Sequence, residues 1–106
     1  TLAEQTRLDN ARFFNNDVNQ VPMHCITQGV GTIMKAKHLV LLAFGKSKAQ
    51  AVAASIEGPI TAMCPASALQ MHPHATFIVD EAAASELKQA EYYQWVARHK
   101  PQWQEL

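Results

Sequence analysis

The sequence predicts an α/β fold, an open parallel sheet with flanking helices, and three observations carry that prediction. The run Leu39-Val40-Leu41-Leu42-Ala43-Phe44 is apolar without alternation, the pattern of a strand buried on both faces. It empties through Gly45 into a segment where Ala49, Val52, Ala53 and Ile56 recur at helical spacing. A second β-rich run, Ala75-Thr76-Phe77-Ile78-Val79-Asp80, then leads into another helical stretch. Strands alternating with helices argue for parallel pairing with right-handed connections.

In chain order, Leu2, Leu8, Ala11 and Phe14 fit a short helix, which Asn15-Asn16-Asp17 breaks. Val18 to Pro22 reads as an extended lead-in, because the residue before a proline is pushed out of the helical region. A first strand is expected near Met23 to Thr27, giving three strands in all. Gly29-Val30-Gly31-Thr32 then opens a brief helix carrying Ile33, Met34 and Ala36. After the strand Leu39 to Phe44, a helix is expected over Ser47 to Glu57, ended by Gly58-Pro59 and packing one face on the sheet. Ile60 to His74 reads as a crossover loop, with Pro65 and Pro73 around a single helical turn at Ser67 to Gln70. The last strand spans Thr76 to Asp80, and a closing helix covers much of Ala82 to Arg98 before Pro101.

A length of 106 residues allows one domain at most. With 48% hydrophobic and 17% charged residues the composition is that of a globular protein, indicating neither disorder nor a membrane span. Nine basic and nine acidic residues cancel, which leaves no footprint for nucleic acid or an anionic membrane. Any anion is therefore expected to bind at a local site. Cys25 and Cys64, both in apolar sequence surroundings, match no disulfide or zinc spacing, so reduced thiols and a cytoplasmic location are expected. The chain opens at Thr1 with no leader pattern and reads as a piece of something longer.

The tract Gly45-Lys46-Ser47-Lys48 directly after the apolar strand outlines a phosphate site: free backbone N–H groups at a helix start, with a cation beside them. A nucleotide P-loop is excluded, since it needs a glycine five residues before Gly45 and Val40 stands there. Lys48 is the best phosphate ligand on these grounds; the competing reading is a solvated lysine beside an ordinary turn. Arg12, followed by Phe13-Phe14, fits a docked helix end as well as an anion contact. Gly29-Val30-Gly31-Thr32 lacks the third glycine of a dinucleotide fingerprint, and a tight turn is its default. His72-Pro73-His74, with His24 and Cys25, fits no standard metal spacing, so metal binding is not expected. No nucleophile elbow, Cys-His signature or carboxylate pair is visible, so no catalytic residue is assigned.

Taken together, several stretches resemble glucosamine-6-phosphate deaminase, specifically its C-terminal portion. They are Asn10-Ala11-Arg12-Phe13-Phe14, Asp17 to Pro22, Thr27 to Thr32, Gly45-Lys46-Ser47-Lys48-Ala49, the Glu57-Gly58-Pro59 turn, and Pro65 to Pro73 running into Asp80-Glu81. They lie in order over nearly all of the chain. The resemblance implies an open α/β fold and conversion of glucosamine 6-phosphate and water to fructose 6-phosphate and ammonia, without metal or organic cofactor. It also implies that Arg12 and Lys48 hold the substrate phosphate.

The family's first half carries a Gly-rich phosphate loop, the aspartate that moves the C2 proton and an Asp-His-Glu cluster that opens the sugar ring. None of these is in this chain, so residues 1–106 are expected to be inactive alone, and to form homo-oligomers or associate with the missing N-terminal half. The resemblance offers either Tyr92 or Tyr93 for the allosteric tyrosine that enteric members carry in the last helix, but their spacing to Trp95 and Val96 favours core packing, and no allosteric role is carried over. Four alternatives stay open: a galactosamine-6-phosphate isomerase, a 6-phosphogluconolactonase, the sugar-phosphate-sensing domain of a transcription regulator, and a stand-alone interaction domain held together by docking onto a partner.

Overall fold

A computed structural model describes residues 1–104 of the chain. Its helices are α1 (Glu4–Asn10), α2 (Val30–Ile33), α3 (Ala49–Ile56) and α4 (Ala90–Arg98), and its strands are β1 (Leu39–Ala43) and β2 (Ala75–Val79). Short 3-10 segments lie at Ala11–Phe13, Val18–Gln20, Lys46–Lys48 and Pro65–Met71. The two strands pair in parallel, with Leu39 opposite Ala75 and Ala43 opposite Val79. This is the α/β layer that alternating strands and helices require, reduced to one strand pair.

The strand expected near Met23 to Thr27 does not form. Leu2 N–H reaches the Met23 carbonyl at 2.9 Å, but no ladder continues from it among the described residues, and Ile26 is fully exposed. Local sequence favoured an extended chain; a strand persists only where a neighbour takes its N–H and C=O groups.

The closing helix is also shorter than expected. Asp80 to Leu87 fold as successive turns, and α4 begins only at Ala90. The cause is Glu57. In a continuous helix the N–H groups of Lys88 and Gln89 would donate to carbonyls one turn back; here they donate to the Glu57 carboxylate, each at 2.9 Å. The Tyr93 hydroxyl donates to the same carboxylate at 3.3 Å. No residue of α4 is buried, so Tyr93 serves that carboxylate instead of packing with Trp95 and Val96 in a core.

The other helical segments keep their places with changed ends. The N-terminal helix passes from α into 3-10 at Ala11, and α3 starts at Ala49 because Lys46–Lys48 wind as 3-10. The single turn expected at Ser67 to Gln70 extends to Pro65–Met71. Its closest partner is α3, which buries Ala49, Val52 and Ser55. Gln70 Nε2 donates to the carbonyls of Ser55 and Gly58, both at 2.9 Å, closing the open C-terminal end of α3. Gly58 is required there, since a Cβ would come within 2.5 Å of the Ala54 carbonyl oxygen.

The burial of β1 departs most from expectation. Leu39 is 8% exposed, whereas Val40 and Leu42 are 60% and 61% exposed. One face is covered and the other is open. The same openness marks the whole chain: its surface is 8511 Å², against about 5,900 Å² for a compact monomer of this size. Its radius of gyration is 16.3 Å, where about 13 Å is usual. The uncovered apolar side includes a groove of about 420 Å³ lined by Val30, Ile33, Val40, Leu42, Pro65 and Leu69. Cys25 is exposed rather than apolar-packed; Cys64 is half-buried, and both are free thiols.

Candidate functional site

The Lys48 region is built from the end of β1. Gly45 takes φ +84° and ψ 155°, a conformation open essentially to glycine alone, and so turns the chain out of the strand. Lys48 N–H then donates to the Gly45 carbonyl at 3.0 Å, closing the 3-10 turn from which α3 springs. No side chain caps α3, whose N-cap is Lys48 itself. The N–H groups of Lys46 and Ser47 have no acceptor among the described residues, so the turn offers backbone donors beside the exposed cations Lys46 and Lys48. Lys48 thus sits just before α3 and not within its first turn.

Sequence reasoning missed the partner of this turn. The Gly45 N–H donates to both carboxylate oxygens of Asp80, each at 3.0 Å. Asp80 Oδ1 also accepts from Ala83 N–H at 2.7 Å. The local sign was present: an aspartate at a strand end ahead of Glu81-Ala82-Ala83 has the form of a residue that binds amides just downstream. Its bond to Gly45, across the strand pair, had no local sign.

Arg12 is positioned by a separate hook. Arg7 donates to the carbonyls of Val18 and Val21 at 2.8 and 3.3 Å, tying α1 to the turn that follows. Asp17 accepts from Asn19 N–H at 2.9 Å and tightens that turn. Asn15 and Asn16 both adopt left-handed backbone conformations, reversing the chain after Ala11–Phe13. Arg7 is thereby committed to structure. The exposed Arg12 guanidinium lies 4.7 Å from the centroid of the Phe13 ring, its one recorded partner among the described residues. The Arg12 segment has its closest contacts with α1, and the Lys48 segment with α3.

Among the described residues no group of His, Cys, Asp and Glu is arranged to hold a metal. His72 is engaged with its own surroundings, its Nε2 lying 2.9 Å from the Ala36 carbonyl and its Nδ1 accepting from His74 N–H at 3.1 Å. No helix among the described residues is long and apolar enough to cross a membrane. The two shifted ionisations belong to the joint between α3 and α4. Bonds from the backbone amides of Lys88 and Gln89 and from the Tyr93 hydroxyl hold Glu57 below the usual carboxylate range, against an opposing desolvation. Desolvation and the neighbouring Glu57 charge push the Tyr93 phenol up.

No protein-family model matches the chain. Similarity to individual proteins is extensive. Over 104 residues, 98% of the chain, it is 70% identical to glucosamine-6-phosphate deaminase of Bifidobacterium longum (strain DJO10A), covering 38% of that protein. Over the same share it is 67% identical to the deaminase of Streptomyces coelicolor and 58% identical to that of Mycolicibacterium smegmatis, covering 40% of each. Across nearly all of its length, then, the chain is related to the glucosamine-6-phosphate deaminases, and it spans about two fifths of the length of the relatives it matches.

Proposed function

We propose that this chain is the C-terminal portion of a glucosamine-6-phosphate deaminase, a single-domain enzyme of amino-sugar catabolism that converts glucosamine 6-phosphate and water to fructose 6-phosphate and ammonia. The observation that carries this reading is the 58–70% identity over 98% of the chain. In it, Lys48 and Arg12 hold the substrate phosphate. A glycine-directed turn with unengaged amides and an exposed lysine supports the first role; an arginine left out of the structural hydrogen bonds that occupy Arg7 supports the second. The proton-transfer groups lie in the portion that this chain does not span, and no cofactor is needed.

The remaining portion, or further copies of the chain, would cover the open face of β1. Large exposed apolar surface is the mark of an interaction site, and Val40, Leu42 and Phe44 form such a surface along one strand edge region.

The test is kcat/KM for glucosamine 6-phosphate in a full-length deaminase carrying this segment, as wild type, Lys48→Met, Arg12→Met and the double variant. Each single change removes one charge-assisted contact, worth roughly 1.5 to 3 kcal/mol, and is expected to lower kcat/KM about 10- to 100-fold. The double variant should lose less than the sum if both cations grip one phosphate. Unchanged kcat/KM in Lys48→Met would remove Lys48 from the site. The isolated chain is expected to release no ammonia above background.

A further inference from the structure

We infer that Asp80 is the positioning residue that holds the Gly45–Lys48 turn in its anion-binding form, an inference that rests on the phosphate-holding role proposed for Lys48. The turn needs such a holder. Among the described residues, no atom beyond Gly45 and its two chain neighbours lies within 4 Å of the place a Gly45 Cβ would occupy, so the glycine answers to its backbone conformation and not to crowding. A conformation of that kind persists only where surrounding contacts fix it. The preceding strand cannot do so, because the β1 ladder with β2 ends at Ala43 opposite Val79.

Asp80 stands one residue past that last ladder pair, and both its oxygens take the Gly45 N–H at 3.0 Å. Its other bond, to Ala83 N–H at 2.7 Å, ends on a residue with 0% exposure. The carboxylate therefore connects a fixed point after β2 to the first residue of the turn after β1. Capping the turns that follow β2 would account for the bond to Ala83. It leaves the two contacts to Gly45, 35 residues away, without a purpose.

The charge of Asp80 gives the inference a sign. An anion beside a phosphate site repels the ligand through space, so a purely electrostatic Asp80 would, on removal, tighten phosphate binding. A positioning Asp80 does the reverse: without it Gly45 N–H turns to solvent, Lys48 and the free amides lose their common geometry, and phosphate binding weakens.

The experiment uses the full-length deaminase carrying this segment, as wild type, Asp80→Ala, Asp80→Asn and Lys48→Met. Inorganic phosphate is the probe, read as its inhibition constant, and KM, kcat and turnover of glucosamine without its phosphate are measured alongside. Asp80→Ala is expected to raise the phosphate inhibition constant and the KM for glucosamine 6-phosphate about tenfold. Asp80→Asn, which keeps one acceptor oxygen, should show about threefold. Turnover of unphosphorylated glucosamine should be the same in wild type and the two Asp80 variants, which a general loss of structure would not allow. Unchanged or tighter phosphate inhibition in Asp80→Ala, with Lys48→Met still weakened, overturns the positioning role and leaves the phosphate reading standing. A Lys48→Met enzyme with wild-type inhibition removes both. If Asp80→Ala does not fold, the threefold change in Asp80→Asn decides the matter in the same way.

Discussion

The two faces of β1 carry equally apolar side chains and meet opposite fates. Leu39 is buried and Leu41 and Ala43 are half-buried, while Val40, Leu42 and Phe44 are exposed. A parallel strand with apolar residues on both faces is suited to a sheet covered on both sides. The composition of the strand is that of one covered on both faces, and these residues cover only one. The surface excess of roughly 2,600 Å² over a compact monomer is larger than the roughly 800 Å² per partner of an ordinary stable interface.

The largest effect that would test this contrast is on stability. Leu39→Ala is expected to cost about 2 to 5 kcal/mol in both the isolated chain and a full-length deaminase carrying it. Leu42→Ala is expected to cost less than about 0.5 kcal/mol in the isolated chain at concentrations low enough to keep it monomeric, yet about 2 to 5 kcal/mol in the full-length protein, where the proposed covering buries its face. Urea unfolding of the four proteins reads both values. A Leu42→Ala change that stays mild at full length would break the contrast.

A smaller effect concerns association. The isolated chain is expected to self-associate through the open face, and Leu42→Lys to shift its mass toward one chain in sedimentation or light scattering. A wild-type chain that is a monodisperse monomer at high concentration would show that the exposed face needs no partner.

The smallest effect sharpens the other side, where hydrogen bonds rather than burial join the elements. Glu57 has a depressed folded-state pKa, first through the Lys88 amide. The unfolded state therefore binds more protons in this range, and stability rises with pH. The contribution is complete above the ordinary glutamate value of about 4.3 and is lost as pH falls through the depressed folded value. Glu57→Gln should flatten that part of the stability-pH profile while leaving the neutral-to-basic part parallel to wild type. An unchanged acid limb would mean that the two amides do not depend on the carboxylate's charge.

The features legible in the sequence were those with a local cause. The strand before Gly45, the helix at Ala49, Val52, Ala53 and Ile56, the second strand and the tight turn at Gly58 follow from periodicity and turn chemistry. The failures lay where distant groups decide. Met23 to Thr27 lacks a partner strand, and the stretch after Asp80 is diverted because Glu57 takes two of its amides. The candidate site divides in the same way. Lys48 was readable from strand, glycine and helix start; Arg12 rose above a docked helix end only through resemblance; Asp80 acts on Gly45 through a bond across the strand pair.

The register of the sheet has a consequence for how this chain folds. Every residue of β1 pairs with one some three dozen positions later, so closing the sheet costs the entropy of a long loop before any ladder bond forms. The Gln70 bonds to Ser55 and Gly58 span far less chain and shorten that loop when made first. Folding is therefore expected to run from α3 and Pro65–Met71 outward, with strand pairing last. Replacing Gln70 should slow refolding more than it speeds unfolding, whereas truncating Phe77 in β2 should chiefly speed unfolding. Stopped-flow measurement of both rates for the two variants distinguishes this order from a sheet that nucleates first.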